Sequence, residues 1–325
     1  MDALAGDSFQ LCRSNGAAYL ALAREIDSGH TPALPRPAPR PPLRLRPTGL
    51  SVTKIETLRR DPYAIYAERI LRLNVLNALE PDLESREFGT KIHKILQDFV
   101  TAFPKGPLPL AAEPVLHDLA RSQFELVWDN PIFQAFDRVK IERILRQFLQ
   151  WEQARRAQIV EIHTEIRGVL PVQLADASTF TLSAEADRIE YHTDGSLTLI
   201  DFKTGSLPSP KEIKVGFAPQ LTLEAQMARL NAFKVPKAKD IHAFYVKLGE
   251  REAAKPQAAA KDEELDALAA THFEHLVDML DEYRREETPY LPRPFPKFAS
   301  KYAAYDHLSR YKEWSVLDED NEGEP

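Results

Sequence analysis

The sequence contains a single cysteine, Cys12, among its 325 residues. One thiol cannot form a disulfide within the chain, and it cannot supply a cysteine-ligated zinc site or iron–sulfur cluster. Apolar runs are short, and none approaches the roughly 20 residues that a membrane-spanning helix needs. The N-terminus also lacks the basic segment and apolar core of a secretory signal. These absences favour a cytoplasmic protein without membrane contact.

An excess of positive charge is absent as well. Lys and Arg number 42 against 49 Asp and Glu, which gives a formal net charge of −7. Proteins that bind nucleic acid usually carry a basic patch, so this balance counts mildly against DNA binding. A site for divalent metal needs carboxylates, however, and one part of a larger complex can leave the DNA track to its partners. No phosphate-binding Gly-x-x-x-x-Gly-Lys-[Ser/Thr] loop occurs, which excludes an ATP-driven motor within this chain.

The composition divides the chain into four parts. We interpret residues 1–30 as a helix left from a preceding domain, because thirty residues cannot bury a core alone. Residues 31–47 hold seven prolines and several arginines, which predicts a semi-extended linker or, as the alternative, a basic arm along DNA. Residues 48–315 are expected to form one domain, and residues 316–325 a disordered acidic tail.

The expected domain changes character along its length. Residues 48–160 predict helices, and residues 161–250 predict strands with one helix, because β-branched residues begin to alternate with polar ones. Residues 251–315 predict a charged amphipathic helix followed by an aromatic tail. We therefore expect an α/β fold with a helical N-terminal segment and a central mixed sheet of about five strands flanked by helices. The segment 50–160 should pack on one side of the sheet.

The first helices of this domain carry local signals. Ser51 or Thr53 ahead of Glu56 forms a capping signature. The pair Asp61-Pro62 predicts a break between two short helices, since the residue before a proline disfavours helical backbone. The sequence thus predicts where the helical part starts and where it first bends.

Residues 184–205, AEADRIEYHTDGSLTLIDFKTG, carry the strongest chemical signal. Asp201 and Lys203 lie two residues apart on a predicted strand, so both side chains point to one face. Asp187 lies on the preceding strand, and a turn signal at 193–196 joins the two strands into a hairpin. The pattern brings two acids and one lysine into a single element.

Register decides whether the two carboxylates meet. A two-residue turn at Asp194-Gly195 would place Asp187 opposite Phe202, on the wrong face. A three- or five-residue loop shifts the pairing by one residue, and a shift of one moves every side chain to the other face. The facing pairs are then Asp187 with Asp201, Ile189 with Leu199, Tyr191 with Leu197, and Glu185 with Lys203. We predict this second register because the chemistry requires it.

Adjacent carboxylates repel each other, and a hard divalent cation with oxygen ligands, Mg²⁺ or Mn²⁺, relieves that repulsion. Such an ion can activate a water and neutralise charge on a phosphate during in-line displacement. Lys203 would orient the water or stabilise the transition state. An Asp-x-Lys triplet alone is more often a surface ion pair, but the complete string of Asp187-Arg188-Ile189, a turn, and residues 200–205 is far more specific.

This string resembles the motifs of the RecB-like branch of the PD-(D/E)XK nucleases, in which an acid on one strand is followed by D-[YF]-K-T on the next. The resemblance implies a restriction-endonuclease-like core and metal-dependent hydrolysis of DNA phosphodiester bonds. It also implies that Asp187 and Asp201 bind Mg²⁺ or Mn²⁺, and that both acids take part in catalysis with Lys203.

Four further positions are compared with the same family. His93, in GTKIHKIL, resembles the helical histidine that serves there as an additional metal ligand. Gln220 resembles the glutamine of a Q-x-x-x-Y helix beside the active site, which makes it a candidate catalytic residue. Glu224 stands where the tyrosine of that helix is expected. Glu165, on the strand before Asp187, is either another member of the site or a solvated carboxylate.

Two segments, 50–71 and 302–315, are similar to the AddB-type subunit of the bacterial AddAB helicase–nuclease. The resemblance covers roughly residues 45–315 and implies an exonuclease for double-strand break repair, with DNA and an AddA-type subunit as partners. Many such nucleases hold an iron–sulfur cluster beside a C-P-Y segment, but here Asp61 precedes Pro62-Tyr63, so no cluster is expected. Aromatic packing would replace it, and the candidates are Tyr63, Tyr66, Tyr302, Tyr305 and Trp314.

Three functions remain open from the sequence. The first is a metal-dependent DNA exonuclease, and the second is a non-catalytic DNA-end binding or scaffolding module with a relict site. The intact Asp187, Asp201 and Lys203 argue against the second, and metal binding would discriminate the two. The third, an unrelated helical adaptor with a β-hairpin, is disfavoured by the combination of motifs.

Overall fold

The computed structural model of the protein describes residues 2–27, 34–74, 85–249, 254, 256–298 and 303–315. It divides into two compact units, Met1–Arg36 with Asp306–Pro325, and Pro37–Tyr305. These divisions differ from the expected boundaries at residues 48 and 315. The predicted acidic tail lies outside the described residues, as do residues 28–33.

Helices and strands are numbered separately, each in chain order. The helices are α1 (Asp2–Asp27), α2 (Val52–Arg60), α3 (Pro62–Ile65), α4 (Ser85–Ala102), α5 (Ala112–Gln123), α6 (Pro131–Ala135), α7 (Asp137–Arg155), α8 (Pro210–Lys214), α9 (Gln220–Arg229), α10 (Asp262–Tyr283) and α11 (Asp306–Ser309). The strands are β1 (Gly49–Ser51), β2 (Ile159–Gln173), β3 (Thr179–His192), β4 (Leu197–Lys203), β5 (Ile241–Lys247) and β6 (Pro256–Ala258). Among the described residues, no helix is both long and apolar enough to span a membrane.

The proline- and arginine-rich segment is bound to the larger unit from residue 37 onward. Arg46 is 4% exposed. Its guanidinium donates hydrogen bonds to the backbone oxygens of Pro41, Tyr283, Arg285 and Glu286. The backbone N–H of Tyr290 donates to the carbonyl of Pro39 at 2.9 Å. The expectation of a linker is therefore wrong for this half of the segment, because charge-assisted hydrogen bonds fix it to the end of α10.

The strands form one mixed sheet of six strands in the described part of the chain, one more than expected. The order is β1-β3-β4-β5-β6, and β2 also pairs with β3. The β1–β3 and β4–β5 pairs are parallel, and the other three are antiparallel. Neither β1 nor β6 was predicted as a strand, because three residues are too few to show alternation. Gly49 permits the close approach of β1 to β3, since a Cβ there would lie 2.9 Å from the carbonyl oxygen of Thr181.

Apolar side chains on the two faces of β4 enter two separate cores. Leu197 and Leu199 pack with residues of α2, α9 and α10, whereas Ile200 and Phe202 pack with residues of α4, α5 and α7. The sheet is thus covered by helices on both faces. The expectation that all of segment 50–160 packs on one side is wrong for α2. Because β1 pairs with β3, the helix that follows it, α2, packs on the face opposite to α4, α5 and α7.

The first helices follow the sequence signals in part. Ser51 is the N-cap of α2 and accepts a hydrogen bond from the N–H of Lys54. Glu56 does not complete the capping signature, because Lys54 occupies the third helical position and Glu56 instead pairs with Arg60 at 3.0 Å. The break at Asp61-Pro62 is present as the boundary between α2 and α3.

The hairpin of β3 and β4 has the register that the chemistry requires. Ile189 pairs with Leu199 and Tyr191 with Leu197, so five residues form the loop. Gly195 in this loop has a φ of +85°, a conformation that favours glycine. The ladder with β4 ends at Arg188. The expected Glu185–Lys203 pairing is wrong, because β3 and β4 are no longer paired beyond Arg188, and the partner of Glu185 is Arg167 of β2.

Only some of the aromatic residues predicted to pack together do so. The rings of Tyr63 and Tyr66 are 5.6 Å apart, and Tyr290 lies 6.4 Å from Tyr66. The Tyr305 hydroxyl donates to the backbone oxygen of Leu73. Trp314 belongs to the smaller unit, and Tyr302 lies outside the described residues.

Candidate metal centre and active site

His93, Glu165 and Asp187 come from three different elements and converge. His93 lies on α4, Glu165 on β2 and Asp187 on β3. One ligand atom from each lies within 4.8 Å of the other two. The Nδ1 of His93 is 3.3 Å from Oδ2 of Asp187. The predicted helical histidine therefore meets the hairpin acid, and Glu165 joins them.

The backbone at Glu165 is unusual for a strand. Its φ is +49°, a left-handed conformation that L-residues other than glycine rarely adopt. Its neighbours Thr164 and Ile166 pair normally with Arg188 and Ala186 of β3. The distortion is confined to the one residue whose carboxylate reaches His93 and Asp187. Burial and the nearby charge of Asp187 raise the pKa of Glu165.

Asp201 is the buried acid of the site, with 2% of its surface exposed. Its Oδ1 accepts hydrogen bonds from Nζ of Lys203 at 2.9 Å and from Nε2 of Gln220 at 2.8 Å. Its Oδ2 lies 2.8 Å from Nζ of Lys203 but accepts no hydrogen bond among the described residues. Burial and the charge of Asp187 raise the pKa of Asp201 to about 6.

A backbone hydrogen bond from β4 holds the carboxylate of Asp187 next to Asp201. Its Oδ2 accepts a hydrogen bond from the N–H of Phe202 at 2.9 Å, although the ladder itself ends one residue earlier. Asp201 does not belong to the group of ligand atoms around His93, because its carboxylate is held by Lys203 and Gln220. The structure thus pairs the predicted ligands His93 and Asp187 directly, with Asp201 beside them.

The cationic groups of the site respond to the acids around them. Burial alone would lower the pKa of Lys203, but the negative charges of Asp201 and Asp187 outweigh it and raise that pKa. Burial would likewise lower the pKa of His93, and its hydrogen bond to Asp187 reverses the effect. Lys203 keeps 33% of its side chain exposed, so its ammonium can reach a molecule in solution.

Glu224 occupies the helix position where the family resemblance leads us to expect tyrosine. It is buried, with 2% exposure, and its Oε1 accepts a hydrogen bond from Nε2 of Gln220 at 3.3 Å. The same nitrogen donates to Asp201. Burial, with Asp201 and Asp187 nearby, raises the pKa of Glu224 well above its ordinary value. Gln220 therefore bridges two buried carboxyl groups.

Glu56 is a neighbour of the site that the sequence interpretation treated only as a capping residue. Burial raises its pKa, and the positive charges of Arg60 and Lys203 act in the opposite direction. The i,i+4 spacing of Glu56 and Arg60 on α2 was a signal for a helical ion pair. No sequence signal connected α2 with Lys203, because the contact depends on β1 joining the sheet.

The residues present fit a divalent cation. The donor set combines one imidazole nitrogen with carboxylate oxygens from Asp187 and Glu165, and hard cations prefer such oxygen ligands. The buried Oδ2 of Asp201, which accepts no hydrogen bond among the described residues, offers a further oxygen. Excess negative charge beside a partly exposed lysine is an arrangement that can hold a metal ion and a phosphate together.

The fold and this acidic hairpin define a nuclease-type α/β domain. The chain belongs to the PD-(D/E)XK nuclease superfamily, since residues 49–297 match the sequence profile of that family. The matched range contains all the residues of the site described above. The α/β architecture expected from the sequence, with a mixed sheet between helices, is confirmed.

Similar proteins are found in Rickettsia. An uncharacterised protein of Rickettsia bellii is 30% identical over 192 residues, which cover 58% of this chain and 22% of that protein. One of Rickettsia typhi is 31% identical over 196 residues, with coverages of 58% and 22%. The chain thus spans less than a quarter of these relatives' length. A candidate exonuclease from Eubacterium rectale aligns with a TM-score of 0.44 at 7% identity, covering 82% of this chain and 93% of that one.

Proposed function

We propose that this chain is a metal-dependent deoxyribonuclease that hydrolyses phosphodiester bonds as an exonuclease. The observation that carries the proposal is the convergence of Asp187, Asp201 and Lys203 on one hairpin, with His93 facing Asp187 at 3.3 Å. Membership of the PD-(D/E)XK nuclease superfamily supports the same reaction class.

Each residue has a distinct role in this proposal. Asp187, Asp201 and His93 would hold Mg²⁺ or Mn²⁺, with Glu165 as a further ligand. A bound ion of this kind supplies an activated water and neutralises charge on the phosphate. Lys203 would donate a hydrogen bond to the water or to a phosphate oxygen where negative charge develops.

Gln220 would act on the orientation of Asp201. Its amide nitrogen donates to Oδ1 of Asp201 at 2.8 Å, and in this proposal Oδ2, which lies 2.8 Å from Nζ of Lys203, would bind the cation. Without this hydrogen bond the carboxylate could rotate about its terminal torsion, since such torsions have broad minima. Gln220 also lies beside the position of the substrate, where it could contact the DNA.

The biological setting follows from the resemblance to AddB-type subunits. In that setting the chain would trim one DNA strand during double-strand break repair, with an AddA-type helicase–nuclease subunit as partner, in the cytoplasm. The matched region makes up 22% of the length of the Rickettsia bellii relative, which is compatible with a nuclease domain of a larger machine.

The test is digestion of end-labelled single-stranded and duplex DNA with and without Mg²⁺. We expect the release of short products from one end only when the metal is present, and no release by Asp201→Asn, which keeps size and shape. A circular single strand is the control for exonuclease action and should stay intact. Digestion of the circle would contradict the exonuclease assignment, and equal activity of Asp201→Asn would contradict the site.

A non-catalytic DNA-end binding module is the second candidate. The hydrogen bonds that hold Asp201 to Lys203 and Gln220 favour it, because a carboxylate already satisfied in this way resembles a relict site. Calorimetric titration with Mn²⁺ separates the two candidates. A relict site would bind the ion weakly or not at all, and an active site should bind it with an affinity that Asp187→Ala removes.

A further inference from the structure

Three phenylalanines from two distant segments pack together on the surface next to α2. The rings of Phe217 and Phe298 are stacked, 4.1 Å apart with an interplanar angle of 9°. Phe295 meets Phe217 edge-on at 5.1 Å. Phe217 is 6% exposed, whereas Phe295 keeps 49% of its surface exposed. The inner ring thus supports an outer ring that faces solvent, and we call these three residues the Phe platform.

Cations surround the Phe platform, in contrast to the net charge of −7 for the chain. The guanidinium carbons of Arg59 and Arg60 lie 5.0 and 5.8 Å from the ring centre of Phe217. Lys297 lies between two residues of the platform in sequence, and Lys214 precedes Phe217 by three residues. Both lysines are exposed. The acid on α8, Glu212, is engaged with Arg60 and with its own helix cap.

Arg60 connects the Phe platform to the proposed active site. Its guanidinium donates to the backbone oxygens of Phe217 at 2.8 Å and Phe298 at 2.7 Å. The same group pairs with Glu56 at 3.0 Å, and the positive charge of Lys203 acts to lower the pKa of Glu56. The platform is therefore linked through Arg60 and Glu56 to the charges of the proposed active site.

The segment that carries Phe295 and Phe298 is held in place before any ligand binds. Prolines at 292, 294 and 296 fix the backbone φ and reduce its freedom. Its start is hydrogen-bonded to the α2–α3 region, because Tyr63 N–H donates to the carbonyl of Leu291 and Arg293 N–H donates to Oδ1 of Asp61. An exposed aromatic ring on a fixed backbone loses little freedom when it binds.

We infer that the Phe platform is a docking site for single-stranded DNA, on which a base stacks while the phosphates contact the neighbouring cations. This inference rests on the proposed nuclease function and adds the substrate form that the site receives. Proteins that bind single strands combine aromatic stacking surfaces with cationic groups along the backbone. Paired bases in a duplex do not expose their faces to such a ring, whereas an unwound strand does.

Binding is tested in EDTA, which prevents hydrolysis, by the fluorescence anisotropy of labelled oligothymidylate. Phe295→Ala should weaken binding on the order of tenfold, since stacking is sequence-tolerant and contributes strongly for each base. Phe295→Trp should retain the affinity, because it preserves an aromatic face. The matched control is Phe136→Ala, an exposed phenylalanine at 73% on another part of the surface, which should bind as the wild type does.

The charge component is tested by the dependence of binding on salt. Lys297→Glu should weaken binding and flatten the slope of log affinity against log salt, because fewer counterions are released. Lys105→Glu, which also changes an exposed lysine, is the matched control. Equal slopes for Lys297→Glu and the wild type would overturn the part assigned to phosphate contacts.

Two comparisons keep this inference separable from the proposed function. The wild-type protein should hydrolyse a small ester, thymidine 5′-(p-nitrophenyl phosphate), with Mg²⁺, and this measures the proposed nuclease site without a DNA strand on the platform. A wild-type protein that hydrolyses neither substrate contradicts the proposed function alone, because the anisotropy experiment needs no hydrolysis. Unchanged oligothymidylate binding by Phe295→Ala, or an equal loss of blunt duplex binding, would overturn the docking site.

Discussion

Two groups of buried charges lie on neighbouring strands of the same sheet and differ in how they are neutralised. The first, which we call the arginine cluster, comprises Glu152, Arg155 and Arg156 at the end of α7 with Arg188 and Glu190 on β3. The second is the acid site around Asp201 and Glu224. Both bury carboxylates almost completely, with 0% exposure for Glu190 and 2% for Asp201.

The pKa values of the buried acids move in opposite directions. Burial would raise the pKa of Glu190, but Arg188, His192 and Arg155 lower it to about 2. The pKa of Asp201 is raised to about 6, because burial and Asp187 outweigh the single lysine beside it. The arginine cluster contains its own counter-ions, with three arginines for two glutamates. The acid site has an excess of negative charge that a bound cation would neutralise.

The largest effect is expected from a substitution that disrupts the arginine cluster. Arg188 is fully buried, 2.8 Å from Glu152 and 2.7 Å from Glu190. Arg188→Leu leaves two buried carboxylates without their main counter-ion, and removal of one partner from a buried pair costs about 3–5 kcal/mol. Chemical denaturation should show this loss in the free energy of unfolding.

The matched variant in the acid site is Lys203→Ala. It should cost much less stability, because Asp201 has a pKa of about 6 and can take up a proton when its lysine is removed. If Arg188→Leu and Lys203→Ala lowered the free energy of unfolding equally, the difference proposed between the arginine cluster and the acid site would be wrong.

The second effect concerns rate and divides the roles within the acid site. Lys203→Ala should lower cleavage about 10²–10³-fold, as the loss of one electrostatic stabiliser typically does, and should keep most of the Mn²⁺ affinity. Asp187→Ala and Asp201→Ala should lose both. His93→Ala should fall between, because water can partly replace an imidazole on a hard cation.

Single-turnover cleavage and Mn²⁺ calorimetry measure the two quantities separately. Circular dichroism serves as the control for folding. DNA binding should persist in all four variants, since backbone contacts elsewhere supply most of the affinity. A loss of metal affinity by Lys203→Ala as large as that by Asp201→Ala would contradict this division of roles.

The local part of the site could be predicted from the sequence. Alternation placed Asp201 and Lys203 on one face of β4, and the parity argument gave the register in which Ile189 faces Leu199. Both depend only on neighbours in one hairpin. The turn signal located the loop that contains Gly195, but it left a length of three or five residues open, and the chemistry selected the register.

The distant part could not be predicted in the same way. Glu56 approaches Lys203 because the three-residue strand β1 pairs with β3, and a strand that short has no periodicity to detect. Glu165 reaches His93 through a left-handed backbone within β2, which alternation alone does not indicate. Tertiary pairing decided both positions, and the sequence contains no local record of it.

The third effect is the pH dependence of metal binding. Asp201 holds a proton below about pH 6 in the metal-free protein. The pKa of His93 is raised as well, so its imidazole also carries a proton in acidic solution. A metal ion must displace each such proton, so the apparent Mn²⁺ affinity should rise about tenfold per pH unit for each proton released, and then level off. Calorimetry in buffers of different ionisation enthalpy counts the protons, and a count of zero below pH 6 would contradict the raised pKa.

The same shift fixes the sign of the stability effect. The pKa of Asp201 is raised from 3.8 in the unfolded chain to about 6 in the folded protein. Between these values the folded state binds more protons, so the metal-free protein should lose stability as pH rises through this window. Asp201→Asn should reduce that slope without abolishing it, because the pKa values of Glu165, Glu224 and Glu56 are also raised, while the slope that the arginine cluster contributes through Glu190 has the opposite sign.

The smallest expected effect concerns Glu165, the residue of the acid site with left-handed backbone. A left-handed conformation costs roughly 1–2 kcal/mol for an L-residue with a Cβ, and glycine avoids this cost. Glu165→Gly should therefore be about 1 kcal/mol more stable than Glu165→Ala in the metal-free protein, since glycine's own entropy cost offsets part of the gain. Thermal or chemical denaturation of the two variants measures the difference directly.

Measuring the Mn²⁺ affinity of these variants tests whether Glu165 occupies this strained position because it binds the metal. Both variants lack the carboxylate, so both should bind Mn²⁺ more weakly than the wild type and by the same factor, although their stabilities differ. If Glu165 is instead a solvated carboxylate with no part in the site, neither variant changes Mn²⁺ affinity. The strain would then have no functional counterpart, and the acid site would consist of His93, Asp187 and Asp201 alone. Glu165→Asp is the control that keeps the charge but shortens the side chain, and an intermediate affinity would show that the reach of the carboxylate matters.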